Sequence, residues 1–352
     1  MTINMVKVFF PAIACFIIGI SITPLLTHFF YKYKMWKKAS RSAENSEEMS
    51  VNFKKIHNEK EELRTPRVGG IIIWLSILIT ILLIFLVSKI FPTGATQKLN
   101  FLSRNQTLLP LFTLIFASLI GLVDDLFQIY GKGKYARDPI FYRRIKIALI
   151  VGIGLVVGLW FFYKLGMNSI AIPFAHELYI GWLFIPFFIL VMLAFFSSSV
   201  IDGIDGLSGG VLAPVFVALG TIAFMHLQID IAVLCSVITA GILAFLWFNI
   251  PPARFYMGET GMIGLTVTIT VIAFLTDTVL ILPLIALPLV LTSLSVIIQM
   301  ISKKYFHKKV FRIAPLHHHF EALGWPSYKV TMRFWIISTF CALFGVVIAL
   351  IS

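Results

Sequence analysis

The chain carries ten runs of apolar residues, each close to the length a lipid bilayer demands, and that repetition leaves few folds open. A hydrocarbon core about 30 Å thick takes roughly 20 residues of α-helix, and an unpaired backbone is not tolerated inside it. The runs cover approximately residues 8–30, 69–89, 107–123, 147–163, 180–200, 209–226, 231–250, 261–276, 279–300 and 332–351. The expected fold is an all-α polytopic membrane protein of about ten transmembrane helices, with residues 1–352 forming one integral-membrane unit. A mean hydropathy of +0.94 lies outside the range of soluble domains. Residues 1–30 lack an A-x-A-like cleavage site before the first basic loop, so they read as a retained span and not a signal peptide.

The formal net charge is +13, which in a soluble chain would point to nucleic acid. Its placement argues otherwise. Of the 29 Lys and Arg, only Lys7, Lys89, Lys98, Arg104 and Lys164 fall on one side of a ten-span arrangement. The other 24 lie in segments 31–67, 124–146, 250–260 and 301–333, and the loops on that side are about 31–67, 124–146, 201–208, 250–260 and 301–331. By the positive-inside rule those loops are cytoplasmic and both termini lie outside. The basic charge is thus topological, with a secondary attraction for anionic lipid and anionic substrate. Cys15, Cys235 and Cys341 sit in apolar runs and read as small buried hydrophobes, without a disulfide framework.

The acidic residues are few. Six of the sixteen lie in the charged segment 44–62, which reads as partly disordered or as an amphipathic surface segment. Asp124, Asp125, Asp202, Asp205, Glu259 and Glu321 all fall at cytoplasmic helix ends or loops. Ion-coupled transporters tend to carry carboxylates near the bilayer midplane. Carboxylates gathered at the interface suit a reaction between a water-soluble anion and a lipid head group. Asp138, Asp230 and Asp277 read as ordinary helix-end or loop aspartates.

Three stretches carry chemistry. In "GLVDD" the adjacent Asp124 and Asp125 point about 100° apart on a helix, so they cannot do the same job. One can face a metal or substrate while the other orients a neighbour. Two carboxylates so close call for a cation, and Lys132, Lys134, Arg143, Arg144, Lys146 or a divalent ion are the candidates. In "DGIDGL" Asp202 and Asp205 stand three apart and would share a helical face, while Gly203 and Gly206 allow close backbone approach to a ligand. In "RIAPLHHHFEALGW" three consecutive histidines, His317, His318 and His319, cannot all ligate one metal from a single helical face. Either they form a His-rich loop or they line a pocket that meets phosphate, with Arg312 as a fixed charge nearby.

Together "TPRVGG" (65–70), "GLVDD" (121–125), "DGIDGL" (202–207), "FNIPPARFYMGETG" (248–261) and "FRIAPLHHHFEALGW" (311–325) resemble the polyprenyl-phosphate N-acetylhexosamine-1-phosphate transferases, in motif order and in topology. The resemblance covers roughly residues 57–326. It implies transfer of a sugar-1-phosphate from a UDP-sugar to undecaprenyl phosphate, with release of UMP, a requirement for Mg²⁺ and an active-site cleft on the cytoplasmic face of the bacterial plasma membrane. The His motif is most similar to the branch whose donor is UDP-MurNAc-pentapeptide and whose product is lipid I of peptidoglycan synthesis. The family commonly forms homodimers, although no dimer face can be read from these residues.

By the same resemblance Asp124 deprotonates or positions the lipid phosphate, with Asp125 in support. Glu259 takes the metal-binding acidic position. Tyr256 falls where an aromatic stacks on uracil, and Asn249, Gly203, Ile204 and Asp205 match positions around the uridine. Asp202 and the three histidines fall at positions needed for catalysis or diphosphate contact, and Lys146 at a basic position near the substrate. The sequence departs from the family at Glu259, where Asp is usual, at Gln128, where Lys is usual, and at Phe196 and Ser199, where Asn is usual. "TPRVGG" is nearer the PR-x-GG of the UDP-GlcNAc branch. A UDP-GlcNAc transferase and a transporter or inactive relative are the alternative readings.

Overall fold

A computed structural model describes residues 2–36, 64–102, 106–131 and 139–352. The charged segment 44–62, Asp138, Lys132 and Lys134 lie outside the described residues. Among the described residues the regular structure is helical apart from one hairpin of two-residue strands that pairs Ser169 with Tyr179 and Ile170 with Leu178. Among the described residues ten helices are long and apolar enough to cross a membrane. In chain order they are Asn4–Lys32, Gly70–Ile90, Leu108–Tyr130, Phe141–Lys164, Gly181–Ile201, Leu207–Met225, Ile229–Asn249, Gly258–Leu275, Leu287–Phe306 and Ser327–Ile351. The short helix Leu316–Ala322 carries the histidines between the ninth and tenth spans.

The ninth span departs from the sequence reading. It was expected over 279–300, but the chain forms a short helix, Leu282–Ile285, breaks at Ala286, and only then begins the long helix at Leu287. Pro283 and Pro288 each sit in a first turn, where a missing N–H costs nothing, so the apolar run is cut into two starts. The span gains length at its other end through Ser302–Phe306.

The eighth span is the axis of the bundle. Of its residues Gly258–Leu275, all but Glu259 are buried. Inside such a helix some hydroxyls return to the backbone of the helix itself. Thr266 Oγ donates to the Met262 carbonyl at 2.7 Å, and Thr268 Oγ to the Gly264 carbonyl at 2.7 Å. The third span packs along it at backbone distance, because small residues face each other. A Cβ at Gly121 would collide with the Glu259 carbonyl and lie 2.7 Å from the Thr260 nitrogen; one at Gly264 would collide with the Ser118 hydroxyl. This contact brings Asp124 and Asp125, one turn beyond Gly121, to the start of the eighth span. On the opposite face Lys7 and Asp230 form an ion pair at 2.6 Å between the first and seventh spans. All three cysteines are free thiols.

Gly121→Ala is expected to destabilise the protein by about 1–3 kcal/mol through overpacking of the third and eighth spans. Gly152→Ala, where nothing lies within 4 Å of the new methyl, is the control and leaves stability unchanged or improved. Thermal unfolding of the two variants in one detergent checks the difference.

Candidate active site

The site is built around the first turn of the eighth span. Four N–H groups at a helix start have no partner within the helix, and here a carboxylate from another span supplies one. Asp125 is 2% exposed. Its Oδ1 accepts from the Glu259 N–H at 3.1 Å, and its Oδ2 accepts from the Thr260 N–H at 2.8 Å and the Thr260 hydroxyl at 2.7 Å. The negative charge also lies at the positive end of the helix dipole. Just before this turn Gly258 adopts φ +70°, and its N–H donates to Asp202 Oδ2 at 2.9 Å. A Cβ there would collide with the Arg67 carbonyl and lie 2.6 Å from Asp125 Oδ2, so only glycine lets the three segments meet.

Asp124, one residue earlier on the third span, turns to a different set of partners. Its Oδ2 accepts from Gln128 Nε2 at 2.9 Å and from the Lys146 ammonium at 3.1 Å. Lys146, from the fourth span, also stands 3.4 Å from Glu259 Oε2. Two carboxylates from different spans therefore converge on one cation. Of the proposed cations among the described residues, Arg143, Arg144 and Lys146, it is Lys146 that the fold brings between Asp124 and Glu259.

That convergence bears on Mg²⁺. Among the described residues no three His, Cys, Asp or Glu side chains gather as a ready metal cage. Mg²⁺ commonly takes only one or two carboxylates and completes its shell with substrate oxygens and water. Asp124 and Glu259 fit that pattern. Glu259 Oε2 is buried, and the Lys146 ammonium 3.4 Å away is its charged neighbour.

The "DGIDGL" segment does not place Asp202 and Asp205 on one helical face, contrary to the spacing argument. A 3₁₀ turn ends at Ile201 and the sixth span begins at Leu207, with Gly203 and Gly206 in the turn between. Asp202 faces the eighth span and also accepts from the Ser208 hydroxyl at 2.9 Å. Asp205 accepts from the Ala253 N–H at 3.0 Å and so holds the 250–256 loop. Asn249 is buried and bridges the same two loops: its Oδ1 accepts from the Gly206 N–H at 3.0 Å and its Nδ2 donates to the Phe255 carbonyl at 2.8 Å. The Ile204 side chain belongs to the apolar core. Tyr256 is half-buried, and its backbone pairs with Pro66 and Gly69 of "TPRVGG", at 2.8 and 2.9 Å.

The histidines divide. His317 and His318 are buried, and the space a Cβ would fill at Gly203 lies 2.6 Å from His317 Nε2 and 2.9 Å from His318 Nε2. His318 Nδ1 is 2.7 Å from Glu321 Oε2, and Glu321 Oε1 accepts from the Ser327 hydroxyl at 2.6 Å. His319 turns away: its Nδ1 accepts from the Arg312 N–H at 3.1 Å, while Arg312 Nη1 donates to the Ala322 carbonyl at 3.0 Å. Burial first, and then the Arg312 charge, hold the His319 imidazole below the usual histidine range. The structure thus joins Asp124, Asp125, Asp202, Gly203, Lys146, Glu259, His317 and His318 into one connected cluster. Asp205 and Asn249 brace its loops, and Arg312 with His319 form a separate pair.

Sequence reasoning missed Thr260, Ser208, Arg67 and the role of Glu321. Arg67 stands within electrostatic reach of Asp125, and its Nε is buried without a hydrogen-bond partner among the described residues. Glu321 could have been found, because it lies three residues from His318 on one helix. Nothing in the local sequence marks Thr260 as a partner for a residue 135 positions away.

Among the described residues, ten helices are long and apolar enough to cross a membrane and a carboxylate cluster lies at their ends, and the comparisons name the class of the chain. Residues 107–277 match the family model described as Glycosyl transferase family 4. The chain is 34% identical over 347 residues, 96% of each chain, to the phospho-N-acetylmuramoyl-pentapeptide-transferase of Shouchella clausii. It is 32% identical over 344 residues, again 96% of each, to that of a Geobacillus species, and 30% identical over 346 residues, 97% of each, to that of Bacillus subtilis. The chain belongs to glycosyl transferase family 4, as a multi-pass polyprenyl-phosphate sugar-1-phosphate transferase.

Two outcomes follow from the geometry. Asp125→Ala, which leaves buried N–H groups unpaired, should cost about 1–3 kcal/mol of stability for the groups left unpaired, whereas Asp124→Asn should shift it by no more than about 1 kcal/mol. Thermal unfolding compares them. His319 is depressed in the folded state, so its contribution is complete above the ordinary histidine value, about 6.5, and is lost as pH falls through the folded value. Limited proteolysis near residues 312–322 should therefore quicken on acidification, and His319→Gln should flatten that response.

Proposed function

We propose that the protein transfers phospho-N-acetylmuramoyl-pentapeptide from its UDP-linked donor to undecaprenyl phosphate, forming lipid I for peptidoglycan synthesis and releasing UMP at the cytoplasmic face of the bacterial plasma membrane. The observation that carries this reading is the similarity to phospho-N-acetylmuramoyl-pentapeptide-transferases along at least 95% of the chain, which takes in the His segment as well as the carboxylate motifs.

A phosphate oxygen of the lipid attacks the phosphorus that carries the sugar. The new P–O bond forms as the P–O bond to UMP breaks, and UMP leaves with that electron pair. Asp124 is suited to hold the lipid phosphate's proton, because its carboxylate is held in the cluster by Gln128 and Lys146. Lys146 offsets the charge of two phosphates brought together, being within 3.4 Å of both acids. Asp202, tied to Gly258 and Ser208, keeps the Gly203 turn beside His317 and His318. A Mg²⁺ ion would be held by Asp124 and Glu259 and would supply further charge neutralisation on the diphosphate.

A second reading has its own support. "TPRVGG" is nearer the UDP-GlcNAc branch, and its backbone is bonded to Tyr256 and Met257 in the site, so the departure lies where a donor would be read. The test is UMP release by purified protein with undecaprenyl phosphate and Mg²⁺, offering UDP-MurNAc-pentapeptide and UDP-GlcNAc separately. Release with the first donor alone is expected; release with the second alone moves the protein to the other branch. Asp124→Asn and Asp202→Asn should each lower turnover by at least about 100-fold in folded protein. Glu259→Asp should retain Mg²⁺-dependent turnover, and indifference to Glu259→Ala would remove that residue from the metal site.

A further inference from the structure

The mechanism above leaves a buried carboxylate unused. Glu321 is 6% exposed and sits on the short helix Leu316–Ala322, one turn after His318. A carboxylate taken out of water needs partners for both oxygens, and Glu321 has them. Oε2 meets His318 Nδ1 at 2.7 Å and Oε1 accepts from the Ser327 hydroxyl at 2.6 Å. Ser327 is the first residue of the tenth span, behind the helix-starting Pro326. The carboxylate is thus fixed by two elements.

The consequence falls on the other nitrogen of the ring. A carboxylate can only accept, so Nδ1 carries a proton in this pair whether the imidazole is neutral or charged. Nε2 is then the nitrogen whose state can change, and it is the atom turned toward the Gly203 turn, with the His317 ring packed at a centroid distance of 4.3 Å. The Gly203 turn is flanked by Asp202, which is bonded to the start of the eighth span.

We propose that Glu321 is a positioning residue for the transfer reaction: it fixes the tautomer and orientation of His318 so that Nε2 faces the Gly203 turn, where the donor is bound. The proposal rests on the transferase reading for its substrate. The geometry it claims for the His318–Glu321 pair stands apart from that reading and is tested separately. The hydroxyl of Ser327 belongs to the device, because it holds the carboxylate oxygen that does not touch the ring.

The test joins a spectrum to kinetics. Full-length protein labelled with ¹⁵N-histidine, with His318→Gln used to assign its signals, should show His318 protonated at Nδ1. Glu321→Ala should release the ring to a mixed or Nε2–H tautomer and lower kcat by about 10-fold or more with little change in donor KM, the scale seen when a histidine loses its orienting partner. Glu321→Gln, which keeps an acceptor, should preserve the Nδ1–H signature and recover much of kcat. Ser327→Ala should give a smaller change in the same direction, and it serves if Glu321→Ala does not fold. An Nε2–H signal in the wild type, or an unchanged His318 spectrum in both Glu321→Ala and Ser327→Ala, overturns the proposal. A protein with the expected spectrum but no UMP release from either donor would overturn the transferase reading and leave the pairing intact.

Discussion

The active end of the molecule depends on one interaction, the cap that Asp125 places on the eighth span. The eighth span is enclosed by protein along its length, so its first turn cannot turn to water for its unpaired N–H groups. A carboxylate from the third span meets two of them and a hydroxyl besides. The bond has a geometric consequence as well as an energetic one. It sets the register between two helices whose glycines already force backbone contact, and it thereby fixes where Asp124 and Glu259 point.

From that anchor the chemistry spreads by short steps. Glu259 is the first-turn residue that the cap leaves pointing outward, and Lys146 reaches it and Asp124 together. Gly258, one residue back, hands its N–H to Asp202, which ties the sixth span's leading turn to the same point. Gly203 in that turn packs on the two buried histidines. Residues as far apart in sequence as Asp124 and His318 are in this way held near one helix start. A charged substrate arriving from water and a lipid arriving from the bilayer can meet at such a place, because it is polar and yet at the membrane surface.

Much of this was legible in the sequence. Apolar length alone marked all ten spans, and the asymmetry of Lys and Arg chose the face on which the acids gather. The two aspartates of "GLVDD" were separable from helical geometry alone. What failed was local. Pro283 and Pro288 cut the ninth span in a way that a run of apolar residues does not reveal, because each proline is compatible with a helix start as well as with a break. Asp202 and Asp205 fit a helical spacing, but Gly203 and Gly206 make the segment a turn, and the two side chains serve different loops. The residues left His317, His318 and His319 open between a His-rich loop and a phosphate pocket with Arg312 nearby, and the resemblance placed the histidines at the diphosphate. The hydrogen bonds of Arg312 and His319 form a brace of their own, and such a pairing depends on a fold that no short stretch contains. Thr260 acts through a partner on another span, and a tertiary contact of that kind leaves no periodic signal, whereas the His318–Glu321 pair lies three residues apart on one helix.

The central claim is that the carboxylate cluster serves a transfer in which the sugar keeps its phosphate and the nucleotide loses one. Following a ³²P label in the sugar-bearing phosphate of the UDP donor tests it most directly. The account predicts that the label moves into the organic-soluble lipid, with the UMP released unlabelled. Label recovered in the nucleotide, or as a water-soluble sugar phosphate with none in the lipid, would contradict it.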